Sequence, residues 1–318
     1  MHRTKLRKFV KLPWHWMVEV FECWWRICLI PLRILAESLL YFSSFPDALL
    51  PSETNKAYSP TARGDPKSAL KDSVHFWWAS SATSAVMQRK FAKQILQPVV
   101  VETYSKVVLG RDISDAFPSH TPLLGARILE VQCGAGFLTE LLMEAGAEVT
   151  GIDTDASVIL AARAHWQKRK GISGRPTYLN MSARVLLEQR VDSYDVVVVT
   201  EPLDQLKNWK DQLPVCAKLV RQGGALIVTS ANRTPAGLIW NIVGLEQVLG
   251  CVSGRKAKRF RNFVKEKEVM AVFRETQLIP TMFSGIVPFG LRRQTIKWHQ
   301  TVYHGTGFLV VAKSPEFY

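Results

Sequence analysis

The stretch 127–153 constrains the fold of this chain more than any other part of its sequence. An apolar run, RILEV at 127–131, precedes a glycine-containing turn, QCGAG at 132–136, and an amphipathic segment then leads to EVTGID at 148–153. Strand, glycine turn, helix and a second strand ending in an acid form the first unit of a parallel sheet that binds a nucleotide. The sequence therefore predicts an α/β fold with its site at the carboxyl ends of the strands.

The residues of this unit also indicate which nucleotide it holds. Gly134 and Gly136 let a ligand approach the backbone, and the amino terminus of the next helix supplies N–H donors. Asp153 is placed to accept hydrogen bonds from both ribose hydroxyls. Glu130 suits a cationic amino-acid group better than a phosphate, and Thr139 stands where the dinucleotide fingerprint has its third glycine. This pattern favours S-adenosylmethionine over a dinucleotide.

The alternation of strands and helices continues downstream. SYDVVVV at 193–199 predicts a strand that is followed by Thr200, Glu201 and Asp204. A helix through Val220 is predicted to end at the glycines of RQGG, before the strand ALIVTSAN. This order is that of a Rossmann-like class I methyltransferase with a mostly parallel, doubly wound sheet.

The amino-terminal part differs in composition. Residues 1–12 carry five basic side chains and no acid, and four tryptophans follow within residues 13–25. We expect residues 1–46 to form an amphipathic helix that targets mitochondria or lies on a membrane surface, the alternatives being a helix packed on the domain or a cleaved presequence. Residues 47–71 read as a linker and residues 72–318 as the methyltransferase domain.

The net charge of +14 favours an anionic partner. A basic run at 255–267 follows the apolar segment LIWNIVGLEQVLGCV, which suits entry of an isoprenoid tail from an anionic bilayer; a solvated cationic face is the alternative. Few aromatic residues interrupt this run, which argues against nucleic acid. The five cysteines form no CxxC pair, so we expect reduced thiols and no zinc site.

From roughly His75 to Lys313 the chain resembles the ubiquinone biosynthesis O-methyltransferases of bacteria and mitochondria. The motifs that carry the likeness are HFWW at 75–78, ILEVQCGAG at 128–136, GAEVTGID at 146–153, AARAHW at 161–166, YDVVVVTEPLDQL at 194–206 and NRTPAGLIWNIVGLEQVLGCV at 232–252. The last motif is the most specific, because generic methyltransferases lack this insertion. We expect the insertion, 232–268, to face the substrate or the membrane.

The resemblance implies methyl transfer from S-adenosylmethionine to a phenolic hydroxyl of a polyprenylated benzoquinol or benzoate intermediate. It implies cofactor contacts at Gln94, Gln132, Asp153 and Thr200, in addition to the turn residues Glu130, Gly134 and Gly136. It also implies that Glu201 and Asp204 are catalytic and bind Mg²⁺ together with Gln205; a solvated pair of loop acids is the alternative.

Three positions depart from the pattern of this family. The family has arginine at 94, glycine at 132 and histidine at 205, where this chain has glutamine. Because an amide does not titrate, Gln205 cannot be a general base, and His299 or His304 could take that role.

The implied location is the matrix side of the inner mitochondrial membrane, as a peripheral protein. Two further hypotheses remain open: a catalytically impaired relative that stabilises a quinone-biosynthesis complex, and a methyltransferase for another small molecule.

Overall fold

The computed structural model describes residues 89–111, 120–167, 174–189, 194–199, 203, 206, 208–248, 260–292 and 295–316. The amino-terminal segment 1–46, the linker 47–71 and the HFWW motif lie outside the described residues. No helix in the described part of the chain is long and apolar enough to cross a membrane.

One mixed sheet organises the described residues. A helix α1, formed by the consecutive segments Ala92–Leu96, Gln97–Glu102 and Thr103–Val108, precedes it. The chain then forms β1 Arg127–Val131, α2 Phe137–Glu144, β2 Glu148–Asp153, α3 Ala156–Gln167, β3 Thr177–Asn180, α4 Ala183–Gln189, β4 Tyr194–Val199, α5 Trp209–Ala217 and β5 Val220–Ala231. There follow α6, formed by Pro235–Leu238 and Ile239–Val248, a short 3₁₀ turn Phe260–Asn262, α7 Glu266–Glu275, β6 Ile279–Arg292, β7 Thr295–Thr301 and β8 Gly307–Lys313.

The sheet has the strand order β3-β2-β1-β4-β5-β8-β6-β7. Strands β1 to β5 pair in parallel, whereas β8 is antiparallel to both of its neighbours, β5 and β6. The order reverses direction between β1 and β4, so their carboxyl ends border the crevice where doubly wound sheets bind ligands. The prediction of a mostly parallel, Rossmann-like sheet is confirmed.

The strands are apolar on both faces because helices cover both faces. On one face Ile128 and Val196 pack with α1 and α2. On the other face Leu129 and Val197 pack with α4, α5 and α7. This alternation leaves Glu130 on the face of α1 and α2, beneath the glycine turn.

The predicted boundary between α5 and β5 is wrong. The helix ends at Ala217, and β5 begins at Val220 and contains the glycines that were expected to end the helix. Val220 pairs with Tyr194, after which the register shifts, and Gly223 adopts a φ of +70°. The glycines therefore form a bulge within the strand, and glycine is favoured in such bulges as well as at the ends of helices.

Candidate functional site

The turn between β1 and α2 contains three residues in the left-handed region. Gln132, Gly134 and Gly136 have φ values of +58°, +52° and +78°. The N–H of Cys133 donates to the carbonyl of Ile152 at 3.0 Å, which fixes the turn to the end of β2. The turn thus sits at the carboxyl edge of the sheet, directly before the amino terminus of α2, as the sequence predicts.

Asp153 is the residue around which this turn is built. Its Oδ2 accepts the Gly134 N–H at 3.1 Å and its Oδ1 accepts the Asp155 N–H at 2.9 Å. A carboxylate offers about four lone-pair sites, so each oxygen retains capacity for one further donor. Burial raises the pKa of Asp153, against the opposing effect of these backbone hydrogen bonds. The side chain is thus an acceptor held in place by the backbone of the turn.

Glu130 and Thr139, which the sequence presents as two separate departures from the dinucleotide pattern, contact each other. The Thr139 hydroxyl donates to Glu130 Oε2, and both side chains are fully buried. A glycine at 139 would leave this carboxylate without that donor. Glu130 therefore anchors α2 beneath the turn, and its contact with a ligand's ammonium group remains a prediction.

A second buried layer supports the turn, and the sequence alone did not reveal it. A side chain at Gly136 would overlap the Tyr178 hydroxyl, so packing as well as φ requires glycine there. Glu140 on α2 is paired with His165 on α3, with side-chain exposures of 2% and 11%. The one available signal is that the family-like motif AARAHW contains His165.

The negative charge of this region is concentrated around Cys133. Burial raises the pKa of its thiol well above the ordinary value, and the charges of Glu130 and Asp153 act in the same direction. A thiol whose anion is disfavoured in this way is no nucleophile. The same field favours a cationic group of a ligand at the turn.

The two glutamines that replace family residues at this end have different surroundings. Gln132 Oε1 is buried and has no hydrogen-bond donor among the described residues. Gln94 Oε1 accepts the backbone N–H of Trp298 at 3.1 Å and so joins α1 to β7. A cofactor contact at Gln94 remains a prediction.

Thr200, Glu201, Asp204 and Gln205, the other predicted site residues, lie outside the described residues. Leu203, within the same loop, is described: its N–H donates to the carbonyl of Thr229 on β5 at 3.0 Å. Leu203 is thereby held beside β5, close to the carboxyl end of that strand. In the part of the chain that the structure describes, no group of three or more His, Cys, Asp or Glu side chains could hold a metal ion.

Of the two histidines considered as bases, His304 lies at the carboxyl edge. Its Nδ1 is 3.1 Å from Glu266 Oε1, and its ring packs against Phe283 with centroids 4.3 Å apart. Asn232 Nδ2 donates to the His304 carbonyl at 2.8 Å. His299 lies on the edge strand β7.

The insertion and the loop before β8 form one surface. Thr234 Oγ1 donates to the Gly305 carbonyl, and Asn241 Nδ2 donates to the Thr306 carbonyl at 2.8 Å. Both segments expose large apolar or aromatic side chains. They are Ile239 (57% exposed), Trp240 (45%), Val302 (94%) and Tyr303 (55%), which together we call the apolar crest.

Comparisons with known proteins agree with this geometry. A family model described as "Methyltransferase domain" matches residues 129–228. A ubiquinone biosynthesis O-methyltransferase of Xanthomonas oryzae pv. oryzae is 31% identical over 173 residues, which are 54% of this chain and 71% of the relative. That of Bordetella avium is 32% identical over 52% of this chain and 66% of the relative.

Two further similarities, one to a sequence and one to a solved structure, complete the comparison. The mitochondrial ubiquinone biosynthesis O-methyltransferase of Rattus norvegicus is 27% identical over 79% of this chain and 70% of its own length. Among solved structures, magnesium protoporphyrin IX methyltransferase from Synechocystis with bound SAH is 15% identical, with a TM-score of 0.46 over 82% of this chain and 92% of that chain.

Proposed function

We propose that this chain, which belongs to the ubiquinone biosynthesis O-methyltransferase family of class I S-adenosylmethionine-dependent methyltransferases, methylates a phenolic hydroxyl of a polyprenylated benzoquinol or benzoate intermediate. The observation that carries the proposal is the turn at 132–136, held to Asp153 at the carboxyl edge of the sheet. This turn offers hydroxyl acceptors and negative charge, which suit ribose hydroxyls and a cationic amino-acid group better than a pyrophosphate.

The residues present at the turn fit the proposed cofactor. Asp153 has acceptor capacity for the two ribose hydroxyls, and Gln132 Oε1 is an acceptor without a donor among the described residues. When bound, S-adenosylmethionine supplies a methyl group on a positively charged sulfur. The protein's task is then to hold this donor and the acceptor hydroxyl in line and to help remove the phenolic proton.

Two groups are candidates for handling that proton. Glu201 and Asp204, with Gln205, would hold Mg²⁺ and so lower the pKa of the phenol. The support is indirect: Leu203, their neighbour in sequence, is hydrogen bonded to Thr229 near the carboxyl end of β5. His304, oriented by Glu266, is the alternative base, because Nδ1 faces the carboxylate and Nε2 lies on the opposite side of the ring.

The apolar crest supports a substrate with an isoprenoid tail. Trp and Tyr side chains settle at the depth of lipid headgroups, while Ile and Val enter the acyl region. The two hydrogen bonds between α6 and residues 305–306 hold both parts of the crest together. The crest lies at the carboxyl end of β5, which is the amino end of the antiparallel β8, so a membrane bound there would face the same edge of the sheet as the cofactor turn.

We further propose a peripheral location on the matrix side of the inner mitochondrial membrane. The mitochondrial rat relative and the basic start of the chain support it. A fusion of residues 1–46 to a soluble reporter should reach mitochondria, and the full protein should be released from membranes by carbonate. A cytosolic reporter would contradict the targeting, and retention after carbonate would contradict the peripheral attachment.

The activity is tested with the full chain, S-adenosylmethionine and two acceptors, a hydroxylated polyprenyl benzoate and a demethyl-quinol, with and without Mg²⁺. We expect transfer to at least one acceptor. Glu201→Gln and Asp204→Asn should each abolish transfer while S-adenosylhomocysteine binding stays within about twofold, because these carboxylates act at the acceptor. Gln205→His should preserve or raise activity, because it restores the family's ligand.

The competing function is a catalytically impaired relative that stabilises a quinone-biosynthesis complex. The replacement of glycine by Gln132, in a left-handed turn, is the observation that favours it. A protein that binds S-adenosylhomocysteine but methylates neither acceptor, with Gln205→His equally inactive, would support that function and overturn ours.

A further inference from the structure

Gln132 occupies a backbone conformation that only glycine adopts without strain. Its φ is +58°, and side chains other than those of Gly, Asn and Asp are uncommon there. A strained residue in such a turn points to a role for its side chain that glycine could not fill. The backbone alone therefore directs attention to the amide of Gln132.

That amide ends in an oxygen that the described protein does not satisfy. Gln132 Oε1 is buried without a donor, a state in which an acceptor loses its bonds to water and gains none. The nearby backbone donors are already in use: Cys133 N–H bonds Ile152, Gly134 N–H bonds Asp153, and Gly136 N–H bonds the Cys133 carbonyl at 2.9 Å. The missing donor has to come from outside the turn.

The electrostatic field near Gln132 determines which charge the donor group should carry. Glu130 lies two residues before Gln132 and is fully buried, and Asp153 is hydrogen bonded to Gly134. Both carboxylates act on Cys133, the residue next to Gln132. A group that carries N–H donors and a positive charge suits this place, whereas a carboxylate would meet an acceptor oxygen and two negative charges.

We propose that Gln132 Oε1 accepts a hydrogen bond from the α-ammonium group of the cofactor's amino-acid moiety, and that Gln132 thereby makes this chain selective for ligands that carry this group. The inference rests on the proposed function, since it assumes that S-adenosylmethionine binds at this turn. Asp153 holds the ribose, and Gln132, at the start of the turn, holds the opposite end of the ligand. A chain with glycine at 132 has no side-chain acceptor here.

The test is calorimetric titration of the full chain with two ligands. One is S-adenosylhomocysteine; the other is its analogue in which a hydrogen replaces the α-amino group. The variants are Gln132→Leu, which keeps the strained backbone and removes the oxygen, and Gln132→Gly, which relieves the strain and also removes the oxygen. We expect both variants to bind S-adenosylhomocysteine at least fivefold to tenfold more weakly than the wild type and to bind the analogue within twofold of it.

The pair of variants separates the amide from the backbone. If Gln132→Leu fails to fold, Gln132→Gly still gives the answer, because glycine is unstrained at this φ. Unchanged or tighter binding of S-adenosylhomocysteine by Gln132→Gly would overturn the inference, as would an equal loss for both ligands. Wild-type protein that binds neither ligand would overturn the proposed function along with the inference, whereas wild-type binding with unaffected variants would overturn the inference alone.

Discussion

Replacing Asp153 by alanine tests the reasoning about the cofactor turn most directly. Its carboxylate already accepts one N–H on each oxygen, at 3.1 and 2.9 Å, so each oxygen has one site left for a ribose hydroxyl. A hydrogen bond to a charged acceptor contributes about 1.5–3 kcal/mol. Taking one such bond as the net loss, Asp153→Ala should weaken S-adenosylhomocysteine binding by about tenfold to 150-fold.

The same substitution also affects the apo protein. It leaves the Gly134 and Asp155 N–H groups without their acceptor, so the free energy of unfolding should fall by about 1–3 kcal/mol. Thermal unfolding without ligand measures this effect separately from binding. Asp155→Ala is the matched control: it removes a carboxylate two residues away that accepts the Ser157 N–H at 2.9 Å at the start of α3.

The binding affinities of the two variants decide whether Asp153 contacts the cofactor. If Asp153→Ala folds and binds S-adenosylhomocysteine with wild-type affinity, Asp153 does not contact the ligand and the turn is not the cofactor site. If Asp155→Ala weakens binding as much as Asp153→Ala does, the loss reflects the general loss of negative charge or of local structure, and no specific role of Asp153 remains.

Three other predictions follow from the same region. Burial raises the pKa of Asp153, so its carboxylate should become protonated at a higher pH than that of an ordinary aspartate, whose pKa is near 4. As the pH is lowered, the affinity for S-adenosylhomocysteine should fall with this protonation, which titrations between about pH 4 and pH 7 should show. The Asp153→Asn variant should lack this pH dependence. His165→Ala should lower the free energy of unfolding by about 1–3 kcal/mol, because it removes a partner of the buried Glu140 carboxylate. In denaturant unfolding, the double variant with Glu140→Gln should recover part of this loss. A double variant without any recovery would contradict this account of the pair. Gly136→Ala should cost at least about 1–2 kcal/mol in the same assay, because alanine is strained at a φ of +78° and its Cβ would overlap the Tyr178 hydroxyl, whereas an unchanged midpoint would mean that the turn rearranges freely.

The parts of the fold that the sequence predicts are those determined by local pattern. The strands Arg127–Val131 and Glu148–Asp153 are confirmed to the residue, because each is a short apolar run bounded by a turn. The local sequence does not determine where β5 begins. Glycines can end a helix or form a bulge, and only the pairing of Val220 with Tyr194, on another strand, decides between the two.

The site follows the same division. The position of Asp153 at the end of β2 and the glycine turn could be predicted, because both depend on local sequence; the contact of Asp153 with a ribose stays a prediction. The Glu140 and His165 pair joins residues 25 positions apart on two helices, and the Glu266 and His304 pair joins residues 38 positions apart. Neither pair has a characteristic spacing, so tertiary packing alone brings its members together.

The position of β8 has a consequence for how the chain is made. Among the described residues β8 is the last strand in sequence, yet it lies inside the sheet and is hydrogen bonded on both edges, to β5 and to β6. The two parts of the sheet can therefore join only after β8 has been synthesised, and until then β5 and β6 each expose an unpaired edge. Such edges pair readily with other extended chains, so the nascent protein depends on whatever shields it during synthesis, and a premature stop codon that removes only the final strand would leave two open edges in place of one continuous sheet.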